Sequence, residues 1–274
     1  MLPLTLAGIR DLRMVRINWV IKADDLIRFK FGKTIDNMKS TIKEIEERFD
    51  NDVERFSRLE TGQQTTLDAT FNMELITEAI SRCYPELQSV LDIGCGAGNY
   101  SVKLSQKIPD IEVTLVDLSQ PMLDRALKRV EVVTQGEVEI RKGDFRSIDF
   151  GTEKFDVIIA TAVLHHLRDD NDWETAFSKL FDLLKSGGSI WIFDLVHQTD
   201  TALQQYIYQD LYGEYLTSLR DKEYRDHVFA YIDKEDTPRS LMYQLNLLQK
   251  VGFKQIDILH KNLCFASFVA FKTE

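Results

Sequence analysis

Three glycines spaced two residues apart, Gly94, Gly96 and Gly98, follow a short apolar run and precede a helical pattern. Glycine permits a tight turn and lets a ligand touch the main chain, because no Cβ stands in the way. The first amides of the following helix would face the same ligand. With Asp92 and Cys95, the turn is a candidate binding loop for a nucleotide-like molecule, although dinucleotide enzymes carry a similar turn.

Two carboxylates follow the next two predicted strands. Asp117 lies nineteen residues after Gly98, where a carboxylate can accept two hydrogen bonds from a ribose diol. Asp144 follows the third strand, where it could accept a hydrogen bond from an adenine amino group. Phe145 or Leu118 would then pack against the ring. The glycine turn and the two carboxylates together favour a ligand that contains adenosine.

Short apolar strands alternate with helices from residue 89 onward. The predicted strands are residues 89–93, 113–116, 138–140, 156–160, 189–193, 255–259 and 264–271. The predicted helices between them are residues 100–107, 120–133, 172–184 (closed by Gly187 and Gly188) and 240–251. Apolar strands joined by helices imply a parallel sheet covered on both faces. The last two strands are joined by so short a link, residues 260–263, that they must be antiparallel.

The predicted fold is α/β: a Rossmann-like, seven-stranded, mostly parallel sheet with an antiparallel last strand and helices on both faces. Right-handed crossovers place the ligand crevice at the carboxyl ends of the strands. An N-terminal helical cover is predicted from an apolar stripe in residues 23–58 and a helix at 71–82. Residues 199–236 are helical and rich in tyrosine, and are predicted to form a lid insertion.

Composition restricts the partners. The net charge of −10 disfavours unspecific nucleic-acid binding, which depends on neutralising phosphates, but leaves a local basic patch open. The three cysteines are widely spaced and form no CxxC or His/Cys cluster, so neither a disulfide framework nor a zinc site is predicted. Charged residues interrupt the apolar N-terminus, and no stretch approaches a membrane span. The expected location is the cytoplasm, and a homodimer stays open.

Five segments in order resemble the successive motifs of the class I S-adenosylmethionine-dependent methyltransferases. They are residues 91–98 (LDIGCGAG), 116–123 (VDLSQPML), 143–145 (GDF), 155–158 (FDVI) and 184–188 (LKSGG). The resemblance extends over about residues 45 to 274 and is densest at 89–194. It implies S-adenosylmethionine as cofactor. The predicted organisation is a 1–22 extension, a 23–85 helical cover and an 86–274 S-adenosylmethionine-binding catalytic domain with its lid at 199–236.

The resemblance also assigns roles to single residues. Gly94 and Gly96 would approach the methionine portion, Asp117 would hold the ribose hydroxyls, and Leu118, Asp144 and Phe145 would surround the adenine. The main chain of Ala160 and Thr161 would pass near the methionine amino group. Residues 49–56 resemble a segment that closes over the cofactor, and Arg55 there would pair either with the cofactor carboxylate or with a surface partner. The full predicted cofactor set is Arg55, Asp92, Gly94, Cys95, Gly96, Gly98, Asp117, Leu118, Met122, Asp144, Phe145, Ala160 and Thr161.

The acceptor is less well specified. The fourth strand is not followed by the Asn/Asp-Pro-Pro-aromatic motif of enzymes that methylate nucleic-acid amines, and Ala160-Thr161 lacks the aspartate of metal-dependent catechol-type enzymes. No metal site is therefore predicted. His165 and His166 are the candidate catalytic bases, with structural packing or helix capping as the alternative. The candidate acceptor contacts are Asp194, Tyr206, Tyr212 and Arg239.

The leading hypothesis is methyl transfer to the oxygen, nitrogen or carbon of a small molecule, because the lid would enclose a compact acceptor. A second hypothesis is a tRNA-modifying enzyme, since the motif order is similar to the bacterial wobble-uridine enzymes that use a carboxylated cofactor derivative. A non-catalytic binding module is a third, which the intact glycine turn disfavours. A NAD-linked dehydrogenase is a fourth, which the GxGxG spacing and antiparallel ending disfavour.

Overall fold

The computed structural model describes residues 39–58 and 63–273. The predicted 1–22 extension and residues 23–38 of the predicted helical cover lie outside these residues. Ser40 onward forms one structural unit around a single sheet. The boundaries proposed above for the cover, the catalytic domain and the lid stay predictions.

Seven strands form the central sheet, in the order β3-β2-β1-β4-β5-β7-β6. Their bounds are β1 Ser89–Ile93, β2 Glu112–Asp117, β3 Val138–Lys142, β4 Phe155–Thr161, β5 Leu184–Leu195, β6 Gln255–Asn262 and β7 Phe265–Phe271. The first five strands pair in parallel, and β7 pairs antiparallel with both β5 and β6. This confirms the predicted seven-stranded mixed sheet.

Ten α-helices within the described residues surround the sheet. They are α1 Ile42–Asp50, α2 Val53–Phe56, α3 Ala69–Cys83, α4 Asn99–Lys107, α5 Gln120–Val130, α6 Asp170–Leu183, α7 Thr201–Gln204, α8 Gly213–Leu219, α9 Lys222–Glu235 and α10 Leu241–Val251. Local sequence explains where several begin: Thr41 and Glu44 form a reciprocal capping box at α1, and Ser119 accepts from the Met122 amide at α5. None of the helices in the described ranges has both the length and the apolar character that crossing a bilayer requires.

The chain order of the strands explains where a ligand site can form. β1 lies between β2 and β4, so the connections leaving the carboxyl ends of β1 and β4 run in opposite directions along the sheet. Ile93 at the end of β1 is in register with Val116 of β2 and Ala160 of β4. This reversal opens a crevice above β1, and the glycine turn begins directly after Ile93.

Gly187 and Gly188 do not close the preceding helix as predicted. α6 ends at Leu183, and β5 begins at Leu184, so both glycines lie inside the strand. The reason is a long-range pairing with the end of β7: the Gly187 amide donates to the Lys272 carbonyl at 2.7 Å, and the Lys272 amide donates to the Gly188 carbonyl at 2.8 Å. Pairing with a distant strand has overridden the local turn signal.

The link predicted between the last two strands is also shorter than expected. His260, Lys261 and Asn262 belong to β6 and pair with β7, which leaves Leu263 and Cys264 to make the turn. The Asn262 side-chain amide donates to the Asp68 carboxylate at 2.8 Å, and Nε2 of His260 lies 2.8 Å from the same oxygen. Contacts to the loop before α3 therefore extend the strand.

The predicted lid, residues 199–236, is two helical arms rather than one helix. The first arm runs from α7 through the wider π-helical turns Gln205–Tyr212 into α8. The second arm is α9, which begins where the Asp221 carboxylate accepts from the Tyr224 amide at 2.7 Å. The arms pack together through aromatic rings, with the Tyr208 and Phe229 centroids 4.9 Å apart. Asp221 is a strong N-cap, which explains the break.

Candidate active site

A cavity of about 420 Å³ lies at the carboxyl ends of β1, β2 and β4, between α1–α2 on one side and α9 on the other. This volume falls within the range of about 300–1,000 Å³ typical of small-molecule sites. Thirteen of the residues singled out in the sequence line it: Arg55, Gly94, Cys95, Gly96, Asp117, Leu118, Met122, Asp144, Phe145, Thr161, His165, His166 and Tyr212.

The glycine turn forms one wall of the cavity. Gly94 and Gly96 have φ angles of +63° and +51°, which side-chain-bearing residues rarely adopt. A Cβ on Gly94 would lie 2.5 Å from the Val163 side chain, whereas a Cβ on Gly96 would meet nothing within 4 Å. Gly96 therefore presents bare main chain to the open cavity. Gly98 has a different task, because a Cβ there would press on Ala126 of α5.

Asp117 connects the glycine turn to the end of β2. One of its carboxylate oxygens accepts from the Gly96 amide at 2.8 Å, and the other accepts from the Ser119 amide at 2.9 Å. Burial raises the pKa of Asp117, and the amide hydrogen bonds act in the opposite direction. Each carboxylate oxygen has a second lone pair, so Asp117 can hold the turn and still accept hydrogen bonds from a ribose diol.

Asp144 is engaged by an arginine that the sequence did not single out. The Arg146 guanidinium contacts both carboxylate oxygens of Asp144 at 2.6–3.0 Å, and its Nη1 lies 2.7 Å from the Asp172 carboxylate. Burial would raise the pKa of Asp144, but the hydrogen bonds from Arg146 outweigh it and lower the pKa. An adenine amino group would therefore meet a carboxylate that is ionised and fixed in place.

The segment 49–56 closes one side of the cavity. The side-chain Nδ2 of Asn99, at the start of α4, donates to the Phe56 carbonyl at 2.9 Å, and this holds α2 beside the glycine turn. Arg55 lines the cavity, stacks over the Phe56 ring at 4.4 Å and pairs with Asp52 at 2.6 Å. The structure thus places Arg55 at the cavity, with a local carboxylate as its present partner.

His165 and His166 lie in a short helical turn after β4. Nδ1 of His165 contacts a carboxylate oxygen of Asp194, whose other oxygen accepts from the Leu164 amide at 2.7 Å. Burial would lower the pKa of His165, but the carboxylates of Asp194 and Asp236 outweigh it and raise the pKa to about 9. Asp194 is fully buried and does not line the cavity. Its role is to orient the His165 ring through the contact with Nδ1.

Asp236 completes this cluster from the end of α9. Its carboxylate oxygen lies 3.0 Å from Nδ1 of His166 and 3.8 Å from Nε2 of His165. The Thr237 amide donates to the His165 carbonyl at 2.7 Å, which fixes the end of α9 to the histidine turn. Asp236 is a functional candidate that the sequence gave no reason to select, because nothing local indicates which cavity its side chain enters.

Three further side chains were missed in the same region. Arg48 of α1 makes a two-point ion pair with the buried Glu235 of α9, with Nε 2.8 Å from Oε1. The Arg48 guanidinium also stacks over the Phe49 ring at 4.3 Å. Arg168 donates to the main-chain carbonyls of Glu235 and Ser40. These contacts join the helical cover to the lid across the cavity.

Six of the residues singled out in the sequence lie outside the cavity lining: Asp92, Gly98, Ala160, Asp194, Tyr206 and Arg239. Asp92 is buried and accepts from the Ser101 hydroxyl at 2.6 Å, and burial raises its pKa to about 7. Tyr206 is 54% exposed, and Arg239 pairs with Asp170 at 2.8 Å. The geometry gives these residues structural neighbours, and their predicted ligand contacts stay predictions.

Comparisons with known proteins agree with this geometry. A methyltransferase domain model matches residues 90–188. The chain is 23% identical over 207 residues to the carboxy-S-adenosyl-L-methionine synthase of Nautilia profundicola, covering 73% of this chain and 84% of that protein. It is 26% identical over 192 residues to the demethylmenaquinone methyltransferase of Lactococcus lactis, covering 68% and 74%.

The fold is shared with the crystal structure of human N-acetylserotonin methyltransferase in complex with S-adenosylmethionine. The TM-score is 0.52 at 17% identity, over 75% of this chain and 52% of that enzyme, so this chain spans about half its length. The open main chain at Gly96 and the held carboxylate of Asp117 fit a ligand with a ribose. The chain is therefore an enzyme that uses S-adenosylmethionine as its methyl donor, with a methyltransferase domain at residues 90–188 and the fold of the class I S-adenosylmethionine-dependent methyltransferases.

Proposed function

We propose that this methyltransferase acts on a small-molecule acceptor, transferring the methyl group to an oxygen, nitrogen or carbon atom inside the cavity. One observation carries the proposal: a single cavity runs from the glycine turn to the His165–Asp236 cluster, with the helical cover and α9 on either side. A chamber closed by two helical segments suits a compact molecule better than a duplex or a folded macromolecule.

We assign the two ends of the cavity to the two reactants. The end formed by Gly96, Asp117 and Asp144 would hold the cofactor, as the motif resemblance implies. The opposite end is lined by aromatic rings, including Phe49, Tyr212, Tyr231 and Phe265, and by the histidine cluster. An acceptor with an apolar body and one polar group would match that lining.

Positioning is the main task of the chain in this reaction. When bound, S-adenosylmethionine supplies an electrophilic methyl group on a sulfonium sulfur. The protein must align the acceptor atom with that methyl group and exclude water. The cover and α9 meet over the cavity through the Arg48–Glu235 pair. His165 and His166 would contact the polar group of the acceptor, and since the raised pKa of His165, about 9, keeps that ring protonated at neutral pH, His166 is the candidate base.

Calorimetric titration with S-adenosylmethionine tests the cofactor part of this proposal. We expect binding at a single site. The control variant Asp68→Asn should bind with the same affinity as the unaltered protein, because Asp68 pairs with His260 and Asn262 away from the cavity lining. Incubation with labelled cofactor and a panel of small hydroxyl-, amine- and carbanion-forming acceptors, followed by mass spectrometry, tests the acceptor part. Transfer only to RNA or protein would overturn it.

A second candidate is an enzyme that binds a carboxylated derivative of the cofactor, as in the tRNA-modifying alternative. The observation that favours it is Arg55, a guanidinium at the cavity wall whose partner Asp52 is one-third exposed. Several relatives are named carboxy-S-adenosyl-L-methionine synthase. Mass spectrometry of the copurified ligand separates the candidates: a carboxylated derivative supports the second, and S-adenosylmethionine or its homocysteine product supports the first.

A further inference from the structure

Three side chains from two distant parts of the chain converge at the acceptor end of the cavity. His165, His166 and Asp236 each present one potential ligand atom, and these atoms all lie within 4.8 Å of one another. All three residues line the cavity. The spacing differs from an ordinary hydrogen-bonded pair, because the Asp236 oxygen faces two imidazole nitrogens at once, at 3.0 and 3.8 Å.

These separations are close to those of metal ligands. Two donor atoms each about 2.1 Å from a metal stand roughly 3.0 to 3.4 Å apart in octahedral or tetrahedral geometry. The His166–Asp236 distance already lies at that value, and the His165–Asp236 distance exceeds it by a few tenths of an ångström. Because the three ligand atoms lie within 4.8 Å of one another, side-chain rotations of His166 and Asp236 would bring them onto a common centre while the His165 ring stays in place.

The ring of His165 is oriented by a carboxylate on one nitrogen, as the rings of metal-binding histidines are. Asp194 contacts Nδ1 of the ring, so Nε2 is directed toward Asp236. Histidines that bind metals usually engage a carboxylate through the other ring nitrogen in this way. Asp194 is itself fixed by the amides of Leu164, His165 and Leu195. The ring orientation is therefore determined before any ion arrives.

The local charge also suits a cation. Asp236 and Asp194 contribute two carboxylates at the histidine pair, and both are buried. Of the nearby arginines, Arg48 forms its ion pair with Glu235 and Arg168 donates to two main-chain carbonyls, while the charge of Arg48 also acts on His165 and Asp236. The cluster would hold a divalent ion beside two buried carboxylates.

We propose that His165 Nε2, His166 Nδ1 and a carboxylate oxygen of Asp236 form a binding site for a divalent transition metal ion. Imidazole ligands favour zinc, cobalt, iron or nickel over magnesium and calcium. Three protein ligands leave coordination positions open, and these face the cavity. As a consequence that rests on the proposed function, an oxygen- or nitrogen-bearing acceptor would bind at those positions.

Titration of the metal-free protein with Co²⁺ and Zn²⁺ alone tests the site. We expect one equivalent of Co²⁺ to produce visible d–d absorption bands, and Zn²⁺ to displace it. His166→Gln and Asp236→Asn should each weaken binding by at least about tenfold, because each removes a direct ligand. His260→Gln is the matched control, since His260 also pairs with an aspartate, 2.8 Å away, but lies outside the cavity lining; its affinity should equal that of the unaltered protein.

Absence of stoichiometric Co²⁺ binding to the unaltered protein would overturn the site, as would full affinity in both ligand variants or an equal loss in His260→Gln. Circular dichroism and calorimetry with S-adenosylmethionine show whether each variant is folded. If a ligand variant does not fold, the d–d spectrum of the unaltered protein decides alone, because nitrogen ligation shifts it from that of the hydrated ion. Cofactor binding without metal binding overturns only this inference, whereas metal binding without cofactor binding overturns the proposed function.

Discussion

The two ends of the cavity are built in different ways. At the cofactor end, the contacts are made largely by main-chain groups of one short turn and by a carboxylate twenty-one residues away, as when Asp117 accepts from the Gly96 amide. At the acceptor end, side chains far apart in the chain meet: Arg48 and Glu235 are 187 residues apart. A local sequence motif therefore identifies the first end, whereas the second end forms only when the helical cover packs against the lid.

The largest effect is expected from Asp117→Asn, which breaks the cofactor end. The change removes a charged acceptor that holds the glycine turn and would hold the ribose, and hydrogen bonds to a charged group are worth about 1.5–3 kcal/mol each. We expect S-adenosylmethionine affinity to fall at least about a hundredfold in calorimetry. Asp68→Asn, a carboxylate away from the cavity, is the control. Unchanged affinity in Asp117→Asn would show that the turn alone binds the cofactor.

A second variant tests whether the acceptor end depends on long-range packing. Glu235→Gln leaves Arg48 without its charged partner in a largely buried position, which costs on the order of 2 kcal/mol. The free energy of unfolding should fall by that amount in chemical denaturation, while cofactor affinity changes little. Glu174→Gln removes an exposed partner of Lys250 and should have almost no effect. Equal losses in the two variants would show that the Arg48–Glu235 pair does not stabilise the packing of α1 against α9.

The pH dependence of stability sharpens the role of Asp92. Burial raises the pKa of this carboxyl from 3.8 to about 7 in the folded protein. Its contribution to stability is therefore fully present below pH 3.8 and is lost as the pH rises toward 7, since the unfolded chain releases the proton first. Asp92→Asn should remove this slope and raise the midpoint of thermal unfolding at pH 8, with little change at pH 4. An unaltered slope would show that Asp92 is ionised in the fold.

Sequence alone predicts most of the sheet, and it selects most of the residues that line the cavity around the glycine turn. The strands β1 and β2 are short and largely apolar, Gly96 lies in the turn after β1 and Asp117 ends β2, so local pattern and chain order suffice. The errors at the strand ends have one physical cause, which is pairing between distant segments. Gly187 became part of a strand because it pairs with Lys272, and His260 did so through β7 and Asp68.

The acceptor end shows the same limit in its side chains. His165 and His166 could be selected from the sequence because they follow β4 at the crevice. Asp236 could not, since a charged residue at the end of a lid helix has no local feature that distinguishes it from a solvated one. Arg146 was missed for a related reason: its contact to Asp144 is local, but its second partner, Asp172, belongs to a separate helix.

The smallest effect is expected from His260→Gln, which compares two histidine–aspartate pairs. The His260 and Asp68 side chains are 29% and 35% exposed, and Asn262 still donates to Asp68 when the imidazole is removed. Exposed pairs contribute about 0.2–1 kcal/mol, so the free energy of unfolding should fall by less than about 1 kcal/mol. In contrast, the His165–Asp194 pair is buried, and the Asp194 carboxylate also accepts hydrogen bonds from three main-chain amides. A larger loss in His260→Gln than in His165→Gln, measured by chemical denaturation, would mean that the edge strand β6, rather than the histidine turn, depends more on such a pair.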